Sequence, residues 1–373
     1  MNRQFIGLAL LLGLLVVGCK NSPKDAARLK PSVSFVDGQG TKTSPYIIHT
    51  AAQLAWLSEL VNTNRSDLLN GGKFANKFYR LGADIDLSDY GSESNDGKGW
   101  IPIGNDYYKR FGGHFEGANK KITGLYIHDH DADYVGLFGS IFGGTVQNLT
   151  IEMADGGVTG KDQVGGLAGN IDDGGRVQNC DVTGVVSGNS YVGGVAGYFR
   201  VSSLIHCCFA GEINGTGDCV GGLIGRIESS ALSNCFALSP VTGTGSFTGG
   251  LVGSVSCAFS ATEAPESRIE NCYATGHVTG VEDVGGLIGT LWEGSLINCA
   301  ALSDQIEGTK NVGRFVGFNR FGSVLGNISS LSIHAKQQAT YAGLGWDFDA
   351  VWQIDEGKYY PTLQGLTTAL LPF

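Results

Sequence analysis

Residues 164–169 read VGGLAG, and the same shape returns as VGGVAG at Val192, VGGLIG at Val220, TGGLVG at Thr248, VGGLIG at Val284 and VGRFVG at Val312. A shortened form, VGLFG, begins at Val135. The steps from 164 to 192, 220 and 248 are 28 residues each, as is the step from 284 to 312; that from 135 to 164 is 29, and only 248 to 284 is long, at 36. A fixed period between roughly 20 and 50 residues marks a solenoid or a similar array. A phosphate loop needs one glycine-rich copy followed by a lysine and a helix, and none of these copies has that sequel.

A second signature follows each hexamer: VQNC at Val177, LIHC at Leu204, LSNC at Leu232, IENC at Ile269 and LINC at Leu296, with VQNL upstream at Val146. Two residues past the Cys stands another small or apolar residue (Val182, Phe209, Ala237, Ala274, Ala301). This pattern predicts three short strands and three bends per coil, an all-β parallel β-helix. Each strand then pairs with its equivalent one coil away, about 4.8 Å off, so every position stacks on its own copy. Glycine is expected where the backbone turns left-handed or where coils crowd. Asn148, Asn179, Asn234, Asn271 and Asn298 are the next best bend residues and are placed to form an amide ladder, interrupted by His206. Strict alternation would put Val164 and Leu167 on opposite faces, so Gly165-Gly166 is read as a corner.

The flanks do not repeat. Thr50 and Gln53 form a capping box ahead of a helix with Leu54, Leu57, Leu60 and Val61 on one face. It is read as an N-terminal cap over irregular first coils, within 41–133. The repeats occupy 134–335. The aromatic end 336–373, with GWDFDAVWQIDEGKYYPTLQ, is expected to close the far end of the core. At the start, Arg3, an apolar run from Phe5 to Val17 and Gly18-Cys19 have the layout of a secretory signal peptide over 1–18. The run is too short to span a bilayer, and the polar stretch 19–40 reads as a tether. The formal charge of −10 disfavours nucleic acid as a partner.

Eight cysteines lie beyond Cys19, five of them in one column. Stacked equivalents point the same way, whereas a disulfide needs converging Cβ atoms. They are read as buried thiols, with Cys207 and Cys208 facing opposite ways. Catalytic motifs such as HExxH and GxSxG do not occur. In HDHDADY, His128 and His130 would share a strand face, but the stretch is read as a solvated loop and not as a metal site. Asp84 and Asp86 read as the wet face of an edge strand. No catalytic residue and no cofactor is assigned. Phe236 and Tyr273, outward on successive coils, are the candidate binding residues, able to stack a sugar ring. The step from 248 to 284 exceeds the period by eight residues, and the loop CAFSATEAPES within it is a candidate projecting loop.

Gly166-Leu167-Ala168-Gly169, Gly222-Leu223-Ile224-Gly225, Gly250-Leu251-Val252-Gly253 and Gly286-Leu287-Ile288-Gly289 resemble the GLUG motif of bacterial surface and secreted proteins, adhesin-like lipoproteins among them. Val16-Val17-Gly18-Cys19 resembles a lipobox. These resemblances imply a β-helix displayed at the cell surface, lipidated at Cys19 and carried by the outer membrane, since Lys20 rather than Asp follows. They imply a non-enzymatic protein whose partner is a glycan or a host protein. The alternatives are a polysaccharide lyase or glycoside hydrolase, which needs charged residues clustered on one outer sheet, and a passive spacer.

Overall fold

The computed structural model describes residues 34–35, 37–63, 74–257, 265–329 and 334–365. The chain is a parallel β-solenoid of about seven 28-residue coils. One coil shows how the repeat is folded. Val192–Gly193 is a two-residue strand; the chain bends at Gly194-Val195; Ala196–Arg200 is the next strand; Ser203–Ile205 and Cys208–Gly215 complete the circuit. Val192 pairs with Val164 below and Val220 above. Ala196 pairs with Ala168 and Ile224 in a separate sheet. Each hexamer therefore straddles two walls, and the corner at Gly165-Gly166 resolves the alternation: Val164 and Leu167 are both fully buried.

Three walls result. The hexamer wall has six strands and the middle wall seven, both in strict coil order. The third wall is itself bent, because the strand after the cysteine breaks in two. Phe236–Leu238 and Val241–Gly243 are separate strands that both pair with the single strand Cys208–Gly215. The coil beginning at Val220 thus holds five strand pieces rather than the three expected. The stack also begins earlier than the hexamers do. Tyr46 pairs with Tyr79, Tyr79 with Phe115 and Phe115 with Val146.

Leu167, Val195, Leu223, Leu251 and Leu287 form one internal file, all fully buried. The N–H of Leu223 donates to Leu251 O at 2.9 Å, and that of Leu251 to Leu287 O at 2.9 Å. Burying each such side chain is worth roughly 1.5–3 kcal/mol, and a coil obtains this only from its neighbours.

The hexamer glycines answer crowding alone. A Cβ on Gly165 would lie 2.4 Å from Ala168 O and 2.7 Å from Ala196 Cα; one on Gly194 would lie 2.1 Å from Phe209 Cγ. The left-handed backbone falls instead on the residue just before each hexamer: Tyr134, Gln163, Tyr191, Cys219, Phe247, Asp283 and Asn311, with φ of 54–69°. Such a conformation costs a non-glycine residue roughly 1–2 kcal/mol. Inter-coil bonds hold it, such as Val164 N–H to Tyr191 O at 2.9 Å.

The Asn column is left-handed throughout, at φ 52–56°, and His206 adopts the same conformation at 53°. The amide ladder is shorter than expected. Asn148 Nδ2 donates to Glu116 at 3.1 Å, Asn179 Nδ2 to Asn148 Oδ1 at 2.8 Å, and His206 Nδ1 lies 3.3 Å from Asn179 Oδ1. His206 thus continues the ladder and ends it. The column thiols of Cys180, Cys207, Cys235, Cys272 and Cys299 are fully buried. Each donates to the carbonyl two residues back, at 3.1–3.3 Å. Cys207 faces the main core, while Cys208 faces a second apolar cluster outside the third wall.

That second cluster corrects the expectation for the C-terminal end. Residues 334–365 do not close the far end of the core. They fold back over the outer face of the third wall, packing Tyr341, Leu344, Trp346, Trp352 and Leu363 onto Cys208, Phe236, Tyr273, Ala300 and Leu302. At the other end of the chain, Ala51–Thr63 is helical, with Leu54, Leu57 and Val61 buried in the main core beside Ile48. Thr50 Oγ1 accepts from Gln53 N–H at 3.2 Å, and Gln53 Oε1 accepts from His49 N–H at 2.7 Å, one residue earlier than in the expected box.

Candidate functional site

Phe236 and Tyr273 do lie on successive coils and their rings do stack, with centroids 5.0 Å apart and planes 5° from parallel. They are nonetheless fully buried. Trp352 sits 6.1 Å from Phe236 and 6.0 Å from Tyr273, and the Tyr273 hydroxyl donates to Pro361 O at 2.5 Å. Neither ring offers a face to a ligand, so the expected sugar platform is withdrawn. The two aromatics anchor the C-terminal segment instead.

The other sequence candidates are placed as follows. Cys19 and residues 258–264 of the inserted loop lie outside the described residues. The His128 and His130 rings touch edge to face at 4.6 Å, and Asp129 is paired with Lys98 at 2.9 Å. Among the described residues, no group of three or more His, Cys, Asp or Glu converges as metal ligands would. Asp84 accepts from Lys121 N–H and Asp86 from Ser88 N–H, both at 2.9 Å, so both serve local backbone.

The middle wall carries what the sequence reading missed. Its outward side chains fall into two columns. One runs Ser140, Asn170, Tyr198, Arg226, Ser254, Thr290, Phe318. The other begins Phe142, Asp172, and continues with Arg200, Glu228 and Ser256, with Trp292 and Arg320 at the same positions of the last coils. These are the sixth and eighth positions after each full hexamer's first residue. They vary freely inside an otherwise strict repeat. That variation was the available signal: these side chains are not part of the apolar interior, although Ser140, Asn170, Asp172, Ser254, Ser256 and Thr290 are themselves buried.

Arginines and aromatics collect here. Arg200 Nη2 binds Asp172 Oδ2 at 2.6 Å, and Arg226 Nη2 binds Glu228 Oε1 at 2.6 Å. The carboxylates lie deeper than their partners: Asp172 is 5% and Glu228 13% exposed, against 33% for Arg200 and 27% for Arg226. The guanidinium groups therefore form the surface. Tyr191 and Tyr198 meet edge to face at 5.9 Å. Burial and a hydrogen bond with Glu228 push the Tyr198 phenol above its ordinary pKa. Among the described residues, Arg226 Nε, Asn170 Oδ1 and Gln163 Oε1 are buried atoms without a hydrogen-bond partner. At one end of the wall Arg110 lies 3.7 Å over the Phe142 ring and 5.1 Å from Tyr107; at the other, Arg320 lies 4.9 Å over Trp292 and 5.0 Å from Phe321. Three of the six arginines in the repeats, Arg200, Arg226 and Arg320, thus stand on this wall. Such cation–π and bidentate groups suit binding of planar, polar or hydroxylated surfaces.

A cleft of about 460 Å³ lies between the third wall and the folded-back segment, lined by Asn119, Asn148, Asn179, Asp181 and His206 on one side and Val351 and Leu363 on the other. Burial pushes the Asp181 carboxyl up to about 6, and the Cys208 thiol donates to it at 3.0 Å.

Fold and wall together define a repeat-built β-solenoid with one chemically distinctive outer face. No family model matches the chain. Over 118 residues, 31% of the chain, it is 42% identical to a candidate Gly-rich membrane protein of Evansella cellulosilytica. Over 153 residues, 40% of the chain, it is 37% identical to halomucin of Haloquadratum walsbyi. The matches span only 12% and 2% of those relatives' lengths. The crystal structure of a candidate immunoglobulin A1 protease from Bacteroides ovatus superposes with a TM-score of 0.54 at 18% identity, covering 88% of this chain and 95% of that one. At that identity the likeness is one of fold alone.

Proposed function

We propose that this chain is an adhesin-like surface lipoprotein of the GLUG-repeat kind, without a catalytic centre, that binds a glycan or a host protein along the outer face of the middle wall. The observation that carries this reading is the run of Arg110, Tyr198, Arg200, Arg226, Trp292 and Arg320 on one face of a rigid stack. Arginine, tyrosine and tryptophan dominate binding hot spots, and a solenoid holds them at a fixed spacing of about 4.8 Å per coil. In this reading Cys19 is the lipid anchor, 19–40 is the tether to the outer membrane, and the helix Ala51–Thr63 closes the membrane-near end.

A second reading has a specific observation behind it. Asp172 and Glu228 beside Arg200, Arg226 and Tyr198 form the charged grouping that a polysaccharide lyase or hydrolase would need. Both carboxylates are already taken by arginines, which favours binding over proton transfer.

The experiment is a glycan and mucin binding screen with the full chain, beside a variant carrying Tyr198→Ala and Arg226→Ala. Binding that the variant loses, with an unchanged circular dichroism spectrum, supports the proposal. Binding that the variant keeps removes the wall as the site. Depolymerisation of a polysaccharide without stable binding reverses the ranking.

A further inference from the structure

The last coil differs from every coil before it in one respect: among the described residues, no further coil follows it in the stack. Val164, Val192, Val220 and Val284 share one column and are fully buried, yet Val312, next in that column, is 46% exposed. Val177, Leu204, Leu232, Ile269 and Leu296 are fully buried, yet Val324 in the same column is 36% exposed. Leu325 is 58% and Phe321 70% exposed. The strands Lys310–Gly313, Val316–Asn319 and Ser323–Leu325 each pair on one side only among the described residues. An unpaired edge with apolar side chains is a template for another β-edge.

We infer that this open end binds the same end of a second copy, giving a closed, tail-to-tail dimer. The occupant follows from the stack itself. The face is continuous with the coil-to-coil interface repeated along the molecule, so what complements it is another coil of this repeat. Among the described residues the copy offers no second such end. At its N-terminal end Ile48, Leu54 and Leu57 are already fully buried. Head-to-tail growth is therefore blocked, and the surviving arrangement is two-fold and self-complementary. The two chains would run in opposite senses, so the new strand pairs are antiparallel. Charge does not oppose it. Lys310 is neutralised by Glu282, Arg314 donates to the carbonyls of Ser303 and Ala301, and Arg320 lies over Trp292 and Phe321. The described C-terminal residues 334–365 pack on the outer face of the third wall.

The test is the mass of the full chain in mild detergent by light scattering, with hydrogen exchange as a second reading. The wild type should run at twice the chain mass. A variant with Val312→Lys and Val324→Lys, whose new side chains meet solvent in the monomer, should run at the single mass. Tyr108→Lys, at an exposed site far from this end, should stay dimeric. Amides of 310–313, 316–319 and 323–325 in the wild type should lose protection on dilution, a readout that survives even if the double variant misfolds. A wild type of single mass at every concentration overturns the inference, as does a double variant that remains dimeric. Growth beyond two copies would overturn the two-fold closure.

Discussion

Gly221→Ala tests the reason for the hexamers. A Cβ at Gly221 would lie 2.1 Å from Ile224 O, 2.7 Å from Gly253 N and 2.8 Å from Val252 Cα. All three obstacles are backbone, and two belong to the next coil, so no rotamer change can relieve them. Relief requires two stacked coils to part locally, which loosens pairing such as Val220 to Thr248. Overpacking a core typically costs about 1–3 kcal/mol, and the rigidity of these neighbours places the substitution at about 3 kcal/mol. The natural control is Gln163→Gly. Gln163 holds φ at 57°; glycine there removes roughly 1–2 kcal/mol of conformational strain but adds roughly 0.5–1 kcal/mol of unfolded-state entropy. Its expected effect is neutral to slightly stabilising. Urea titration followed by far-ultraviolet circular dichroism measures both. If Gly221→Ala is neutral while Gln163→Gly behaves as expected, the coils have room that the geometry denies, and the crowding argument falls.

Three other outcomes follow from buried groups. Asp181 is only 6% exposed, and its folded pKa of about 6 exceeds the ordinary 3.8. The folded state therefore binds the proton more tightly, and stability is gained as pH falls through 6 toward 3.8. Asp181→Asn should raise the melting temperature at pH 8, by an amount corresponding to at most about 3 kcal/mol at 1.36 kcal/mol per pH unit, and should change little at pH 4; a destabilised variant at pH 8 would refute this. Phe236→Ala should cost about 3–5 kcal/mol and expose residues 334–365 to limited proteolysis; an unchanged digestion pattern would mean that the ring does not anchor the segment. Among the described cysteines, Cys257 is the half-buried one while the other seven are buried, and burial raises the thiols of Cys180, Cys207, Cys272 and Cys299. A thiol reagent should label Cys257 first and the column only on unfolding, as read by peptide mass mapping.

The sequence by itself determined the coil, its period and its interior. A residue that must fit between copies of itself has little freedom, so Leu167, Leu223, Leu251 and Leu287 repeat and their burial can be read from spacing alone. The corner at Gly165-Gly166 and the left-handed Asn column were legible for the same reason. The left-handed residues before each hexamer were not, because inter-coil hydrogen bonds impose that conformation on Tyr, Gln, Cys, Phe, Asp and Asn alike. Only the tertiary structure decided which outward residues remain outward. Phe236 and Tyr273 satisfy every local rule for a surface pair, yet a segment about 100 residues later in the chain covers them. Tyr198, Arg200 and Arg226 stay partly exposed, while that segment packs on the third wall and not the middle one. Periodicity specifies what a coil packs against above and below; what lies on its flank depends on where a non-repeating tail finds the largest apolar area, and that information is spread over distant parts of the chain.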